Sequence, residues 1–259
     1  MIDDNVATYL DSMKPALRYQ QQELPLGWQD IAHGEEIKQS INAHMLNWWP
    51  KFFGYHLLKV GNLSCELNIT ACQIKHQVGV AEHSNLAGVK ADIDELPFSH
   101  HAVDVAILSH CLEFCPDPHH LIREAHRVLI PDGHLVISGF NPYSFCGLAK
   151  LAYFRSEKFP WSGRFFSSAR IKDWLHLLGF EVLEEKRMTY SSLARKNSLS
   201  RYRLWNNFCR QYLPKIGSVY VLVAKKRELP LTPIKPKWRA KPQFNPATAK
   251  SALRENKSN

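Results

Sequence analysis

The sequence lacks any long uninterrupted apolar run. A membrane-spanning helix needs about 20 consecutive apolar residues, and no stretch of the 259 residues approaches that length. The first residues, MIDDNVATYLDSMK, are acidic and lack the basic start and apolar core of a secretory signal peptide. We therefore expect a protein without membrane spans that is located in the cytoplasm.

The spacing typical of a disulfide framework is also absent from the six cysteines, and a cytoplasmic protein keeps its thiols reduced. Cys111 and Cys115 lie near His110, His119 and His120, which raises the alternative of a zinc site. No second well-spaced pair completes four ligands. Because cysteine is often a small buried apolar residue, we favour buried thiols and predict no metal site.

Carboxylates are missing from one long part of the chain. No Asp or Glu occurs between Lys186 and Arg227, and residues 186–259 hold 18 Lys and Arg against 2 Asp and Glu. Residues 1–185 are acidic, with 15 basic and 22 acidic side chains. Such asymmetry indicates an anionic partner for the basic part, either RNA or another polyanion. The alternative is a solubilising tail behind a helix that packs on the fold.

The basic part also carries aromatic side chains at helical spacing. Tyr202, Trp205, Phe208 and Tyr212 form one stripe of a helix-like insert over residues 187–216. Basic and aromatic side chains together can follow a phosphate backbone and stack on bases. A stripe at this spacing is usually buried, however, so we predict that Trp205 and Phe208 pack against the sheet.

Strand-like and helix-like patterns alternate along the rest of the chain. Apolar positions repeat at three and four from Gly34 to Trp49, which predicts a helix, and Asp117 and Ser167 or Ser168 are helix caps. Strands are predicted at residues 55–60, 76–83, 103–108, 134–138, 180–186 and 218–226. The alternation predicts an α/β fold with a mostly parallel sheet and flanking helices, whose ligands lie at the carboxyl ends of the strands.

Three parts are predicted along the chain. Residues 1–53 form an N-terminal helical cap, and residues 54–227 form an α/β domain that contains the basic insert 187–216. Residues 228–259 are rich in Pro and Lys without periodicity, which predicts a disordered basic tail. Within the α/β domain, residues 139–166 are predicted to be a loop rich in Gly, Pro and aromatic residues.

The most specific stretch is ADIDELPFSHHAVDVAILSHCLEFCPDPHHLIREAHRVLIPDGHLVISGFNP, which begins at Ala91. An acidic residue precedes Leu-Pro-Phe, a strand opens with an aspartate, and a helix ends in Arg-Val-Leu before a Pro-x-Gly turn and another strand. In this order the features resemble the class I S-adenosylmethionine-dependent methyltransferases, in particular the type 11 methyltransferase domain. The whole chain is also similar to a little-characterised group of bacterial methyltransferase-like proteins with KVGNLS and SGFNP stretches.

This resemblance implies a seven-stranded Rossmann-like sheet, with S-adenosylmethionine lying across three strand ends and donating a methyl group to an acceptor that the sequence does not identify. It also implies that Asp92 lies beside the adenine amino group and Ile93 beside the ring. The chemistry agrees, because a carboxylate accepts from the exocyclic amine and an aliphatic side chain covers an aromatic face. A solvated loop aspartate is the alternative for Asp92.

The loop after the first strand departs from the family pattern, which has an acidic residue followed by Gly-x-Gly-x-Gly. Here those positions hold Lys59, Gly61, Leu63 and Cys65. One glycine remains for close backbone approach, and Lys59 would repel the methionyl amino group by about 4 kcal/mol at about 4 Å and an effective dielectric constant of about 20. The alternative function is therefore a degenerate methyltransferase fold that acts as an interaction or RNA-binding scaffold.

Three further residues complete the predicted site. Glu82 follows Gly61 at the spacing expected for an acid that binds a ribose, or it is a surface glutamate. Ser109 and His110 follow a strong strand, where the resemblance implies groups near the sulfonium and the acceptor. His110 is a candidate general base because its ordinary pKa suits neutral pH, and a structural histidine is the alternative.

The 139–166 loop is expected to contribute to acceptor binding. Its Asn141-Pro142-Tyr143 triplet lacks the second proline of the Asn-Pro-Pro-Tyr signature of amino-methylating enzymes and follows a different strand. We interpret the triplet as a turn that shapes the acceptor pocket together with Phe140 and Phe145.

Overall fold

The structure is a computed structural model that describes residues 24–82, 86–152, 159–190, 193, 208–209, 211–213 and 216–228. The predicted basic tail, apart from Glu228, and most of the basic insert, including Tyr202 and Trp205, lie outside the described residues. The predicted domain boundaries stay predictions. Within the described ranges, no helix is long and apolar enough to cross a membrane.

Six strands form one sheet in the order β2-β1-β3-β4-β6-β5. They are β1 His56–Val60, β2 His76–Val80, β3 Val103–Ser109, β4 Leu129–Phe140, β5 Phe180–Met188 and β6 Val219–Lys226. Strands β1 to β4 are parallel, and β6 runs antiparallel to both of its neighbours. The predicted mostly parallel α/β sheet is confirmed. Next to β2, the described residues add only an isolated parallel bridge between Val80 and Val89. The described sheet therefore has six strands, whereas the resemblance implies seven.

The α-helices that accompany the sheet among the described residues include α1 Gly34–Met45, α2 Asn62–Cys65, α3 Pro118–Val128, α4 Phe145–Ala152 and α5 Ser168–Leu177. As expected, the Asp117 carboxylate accepts from the backbone of α3 and Ser167 Oγ accepts from that of α5. Neither α2 nor α4 was predicted from the sequence. Helix α4 lies inside the predicted 139–166 loop, where Ser144 Oγ accepts from Gly147 N at 3.1 Å and stabilises the first turn.

Both faces of the sheet are covered. Alternate residues of a strand point to opposite faces, and the neighbours Leu57 and Leu58 accordingly belong to different apolar clusters. Helix α1 and the turn at Trp28 pack on one face together with Val105 and Val221. Helices α3 and α5 cover the other face, which explains why β3 and β6 are buried along nearly their whole length.

Helix α5 is tied to β5 through Glu185. The carboxylate accepts from Ser168 Oγ at 2.6 Å and Arg187 Nε at 2.7 Å, and Lys172 Nζ lies 2.8 Å away. Burial raises the pKa of Glu185, but the hydrogen bonds from Lys172, Ser168 and Arg187 outweigh this effect and lower the pKa to about 2. The network therefore stabilises the ionised carboxylate.

Candidate active site

The carboxyl ends of β1, β2 and β3 lie level at one edge of the sheet. The register pairs Val60 of β1 with Val80 of β2 and with Leu108 of β3. The next residues along these strands include Gly61 and Ser109, and Gly61 N donates to Val80 O at 2.8 Å. Parallel pairing thus brings together residues that are far apart in the sequence.

Contacts between α3 and the loop before β3 explain part of the motif. Arg127 donates to Phe98 O at 2.7 Å and to Leu96 O at 2.9 Å, and it also donates to Glu124. Glu124 in turn accepts from Leu96 N at 3.2 Å. The hydrogen bond from Arg127 lowers the pKa of Glu124, which keeps the carboxylate ionised. The helical part of the motif, through Glu124 and Arg127, therefore holds in place the Leu-Pro-Phe part that follows Asp92.

The predicted adenosine-binding residues differ in their exposure. Ile93 is 4% exposed and packs with Val60 and Val80 in one apolar cluster. Asp92 is exposed, and its Oδ1 accepts from the backbone two residues on. Glu82 is exposed directly beyond the end of β2. An aliphatic side chain can cover an aromatic ring, and exposed carboxylates can accept from the amino and hydroxyl groups of a ligand.

The loop after β1 is packed rather than open. Gly61 has a φ of +82° and a ψ of 160°, a conformation that glycine alone adopts without strain. A Cβ at this position would lie 2.6 Å from Cys111 Sγ, so a protein side chain fills the space that the glycine leaves. Leu63, Ser64 and Cys65 follow in α2, and all three are buried. A helical turn replaces the glycine loop of the family pattern.

Helix α2 is bonded to the end of β3. Ser64 Oγ accepts from Ser109 N at 2.8 Å, and Ser109 Oγ lies 2.8 Å from Ser138 Oγ of β4. Ser109 is 1% exposed, so both of its polar groups are used inside the protein. The residue predicted to lie beside the cofactor therefore also holds the loop in place.

Lys59 stands where the family pattern has an acid, and its side chain is half-buried. Burial lowers the pKa of Lys59, and the neighbouring Cys65 partly counteracts this effect. Burial likewise raises the pKa of the Cys65 thiol to about 11. At neutral pH the half-buried Lys59 side chain therefore lies beside a protonated thiol.

A strap of residues 24–30 covers this loop. Trp28 Nε1 donates to Leu63 O at 3.0 Å, and the indole is fully buried. The indole ring meets the His110 ring edge-on, with 5.6 Å between the ring centroids. The strap therefore joins the end of β1 to the end of β3.

His110 and Glu113 form a buried pair at the end of β3. His110 has a φ of +51°, which is uncommon for a residue other than glycine. Its Nδ1 lies 3.1 Å from Glu113 Oε1, which also accepts from Phe140 N at 2.8 Å. If Glu113 is ionised and the ring neutral, Nδ1 would carry the ring proton and Nε2 would keep a lone pair, because an ionised carboxylate only accepts.

Two atoms of this pair lack a hydrogen-bond partner. His110 Nε2 and Glu113 Oε2 are both buried without one among the described residues. Glu113 was not predicted from the sequence. The sequence does show an ionisable side chain three residues after His110. This spacing does not by itself predict that the two side chains pair, because their contact depends on how the chain turns after β3.

An open cleft of about 560 Å³ lies beyond the end of β4. It is lined by Pro142, Tyr143, Ser144, Gly147, Leu148, Lys150 and Phe165. Lys150 Nζ donates to Gly163 O and lies 4.3 Å from the centroid of the Phe165 ring. Phe165 stacks on Phe140 at 5.1 Å, and Phe140 lies 4.2 Å from the His110 ring. An aromatic pair thus connects the mainly apolar cleft to His110, whereas the predicted cofactor residues lie outside its lining.

The cysteines of the chain are free thiols in buried positions. Burial raises the pKa of both Cys111 and Cys115 well above the ordinary range. The described residues contain no group of three or more His, Cys, Asp or Glu side chains that could hold a metal ion.

Comparison with known proteins agrees with this architecture. Residues 55–137 match the methyltransferase domain family model. The chain is 42% identical over 220 residues to the uncharacterized protein YafS of Escherichia coli (strain K12), covering 85% of this chain and 88% of that protein. The chain therefore belongs to the same protein family as YafS, and its residues 55–137 form a type 11 methyltransferase domain.

Solved structures share the fold at low sequence identity. An S-adenosylmethionine-dependent methyltransferase from Mesorhizobium loti matches with a TM-score of 0.50 and 16% identity, over 77% of this chain and all of that one. A chain in the Haloferax volcanii complex of the Trm112 methyltransferase activator matches with a TM-score of 0.55 and 16% identity, over 76% of this chain and 94% of that one.

Proposed function

We propose that this protein transfers a methyl group from S-adenosylmethionine to an acceptor, with the cofactor at the edge formed by the ends of β1, β2 and β3. One observation carries the proposal. Gly61, Glu82, Asp92, Ile93 and Ser109 were each predicted as cofactor residues, and the sheet register and the apolar cluster around Ile93 bring their segments to this one edge.

The adenosine half of the cofactor fits the residues present. The exposed carboxylates of Glu82 and Asp92 suit ribose hydroxyls and the adenine amine, and the buried Ile93 suits the ring face. The methionine half would meet a packed helical turn instead of a glycine loop. Asn62 Oδ1 and Glu113 Oε2 are buried acceptors without a partner among the described residues, and they suit the donor groups of that half.

When bound, S-adenosylmethionine supplies an electrophilic methyl group on a positively charged sulfur. His110 would take, at Nε2, the proton that the acceptor loses. Glu113 would hold His110 in the required tautomer through Nδ1. Alignment alone supplies much of the rate in such a displacement, so His110 matters most for acceptors that must lose a proton.

The body of the acceptor would lie in the cleft beyond β4. The Phe140–Phe165 ring pair connects the cleft to His110, and Pro142 and Tyr143 of the predicted turn contribute to its wall. A lining that is mainly apolar favours an acceptor with an apolar body.

Isothermal titration calorimetry with S-adenosylmethionine and S-adenosylhomocysteine tests the proposal. Asp92→Ala removes an acceptor for the adenine amine, and a hydrogen bond to a charged group contributes about 1.5–3 kcal/mol. Binding is therefore expected to weaken roughly 10- to 100-fold. Asp173→Ala, at an exposed position on α5, is the matched control and should bind as the wild type does. Absence of wild-type binding at millimolar ligand would contradict the proposal.

We also propose, as a second function, that residues 186–259 bind RNA or another polyanion. Phe208 is 53% exposed and Tyr212 is 62% exposed, with their rings 4.8 Å apart. The prediction that Phe208 packs into the core is wrong, because this segment buries the neighbouring Cys209 instead. Exposed rings among basic residues suit stacking on bases.

Fluorescence anisotropy with a short labelled single-stranded RNA tests this second function. Binding is expected to weaken steeply with salt, because counterions are released from the phosphates. The double variant Phe208→Ala/Tyr212→Ala should bind more weakly than the wild type, whereas Leu177→Ala, exposed on α5, should not. Absence of binding at low salt would exclude this function.

A further inference from the structure

Glu113 is a buried carboxyl group whose hydrogen-bonding capacity is not fully used among the described residues. Its side chain is 2% exposed, and the neighbouring His110 side chain is fully buried. Among the described residues, no Lys or Arg forms an ion pair with Glu113. Burying a carboxylate is strongly unfavourable unless charge and hydrogen bonds compensate for the lost water. The ion-pair partner of Glu113 among the described residues is the His110 ring, which is a cation only when it is protonated, so the carboxylate can accept a further partner.

The two oxygens of Glu113 differ in this respect. Oε1 accepts from His110 Nδ1 and from Phe140 N. Oε2 is buried and has no partner in the part of the chain that the structure describes. An ionised carboxylate has about four acceptor positions, so Oε2 is available to a donor or a cation that comes from outside the described chain.

A second unused acceptor belongs to the packed loop. Asn62 donates through Nδ2 to Pro25 O at 2.9 Å, which fixes the amide so that Oδ1 is the free end. Asn62 Oδ1 is buried without a partner among the described residues. Trp28 lies near both Asn62 and the His110–Glu113 pair. Its Nε1 donates to the carbonyl of Leu63, the residue after Asn62, and its ring contacts the His110 ring.

The position of Glu113 in the fold indicates which kind of group its Oε2 would accept. Glu113 lies between the ends of β3 and β4, since a Cβ on Gly139 would be 3.1 Å from its Oε1. Ser109 and His110 are the residues that the resemblance places near the sulfonium, and Glu113 is paired with His110. Lys59 cannot neutralise a cationic ligand, because it is itself basic and stands in place of the acid of the family pattern.

We propose that Glu113 is the counter-charge for the cationic methionine end of S-adenosylmethionine, with Asn62 Oδ1 as an additional acceptor. The inference rests on the proposed function. It means that a carboxylate beyond β3 replaces the one that is absent from β1, so that the loss of the acid and glycines around Gly61 is compatible with cofactor binding.

Three ligands that differ in charge test this inference by calorimetry. S-Adenosylmethionine has a sulfonium and an ammonium group, S-adenosylhomocysteine has the ammonium alone, and 5′-methylthioadenosine has neither. Glu113→Gln keeps the shape of the side chain and removes its charge. It is expected to weaken S-adenosylmethionine roughly 10- to 100-fold and S-adenosylhomocysteine less, and to leave 5′-methylthioadenosine unchanged.

Glu181→Gln is the matched control, because Glu181 is half-exposed at the far end of β5, and it should leave all three affinities unchanged. Equal weakening of all three ligands in Glu113→Gln would indicate a structural role and overturn the inference. Unchanged affinities would overturn it as well while leaving the proposed function intact. A wild type that binds none of the three would overturn both.

Circular dichroism and the melting temperature establish whether Glu113→Gln folds. If it does not, Asn62→Leu provides the second test, because it removes the other unused acceptor at a distance from the His110 pair. The two charged ligands should then weaken while 5′-methylthioadenosine does not. The opposite pattern, with the neutral ligand weakened as much as the charged ones, would refute the assignment.

Discussion

Gly61→Ala is expected to destabilise the fold for two separable reasons. The φ of +82° with a ψ of 160° lies in a region nearly restricted to glycine, and holding another residue there costs about 1–3 kcal/mol. The new Cβ would also lie 2.6 Å from Cys111 Sγ, and overpacking a core costs about 1–3 kcal/mol. The free energy of unfolding should therefore fall by roughly 2–6 kcal/mol.

Cys111→Ala separates the two contributions. It removes Sγ, and the remaining Cβ of residue 111 would lie 3.9 Å from the new Cβ, an ordinary contact. In the double variant the backbone strain at Gly61 persists but the overlap does not. The double variant should consequently be more stable than the sum of the single variants predicts, by about 1–3 kcal/mol.

Urea unfolding of the wild type, both single variants and the double variant, followed by far-UV circular dichroism, measures this coupling. Unchanged m-values would show that the unfolded states are comparable. Additivity within about 0.5 kcal/mol would refute the claim that Cys111 occupies the space beside Gly61. A Gly61→Ala protein as stable as the wild type would refute the strain as well, and the glycine would then be attributable to ligand approach alone.

Two further predictions concern stability. Ser64→Ala leaves the buried N–H of Ser109 without its acceptor, so the free energy of unfolding in urea should fall by about 1–3 kcal/mol. Ser40→Ala is the control, because the Ser40 hydroxyl only donates to a helix carbonyl. Equally small losses in both variants would contradict the prediction. The pKa of Glu185 is lowered from 4.5 to about 2, so its ionised form contributes stability at higher pH that is lost as the pH falls from about 4.5 toward 2. Glu185→Gln should therefore lose less free energy of unfolding than the wild type over that interval, and identical pH profiles would count against the network.

Local patterns were sufficient for the fold class and for most of the elements. The helix period near Ile41, the caps at Asp117 and Ser167 and the apolar run of β3 each depend on residues within a few positions of one another. The structure confirms these elements and the mostly parallel sheet. Local patterns failed at α2, which is a single turn after Gly61, and at α4, which lies in a stretch rich in glycine, proline and aromatic residues. The stability of both short helices comes from contacts with other parts of the chain.

Tertiary structure alone decided which polar groups of the site are satisfied. Ser64 and Ser109 are hydrogen-bonded although they are 45 positions apart in the sequence, and Trp28 and Leu63 are hydrogen-bonded across 35 positions. Sequence periodicity does not predict such pairs. Glu113 had no interpretation in the sequence, because its importance comes from burial beside His110 and from an oxygen that has no hydrogen-bond partner among the described residues. Secondary structure follows from neighbours along the chain, whereas the charge and hydrogen-bond balance of a buried site depends on residues that meet only after folding.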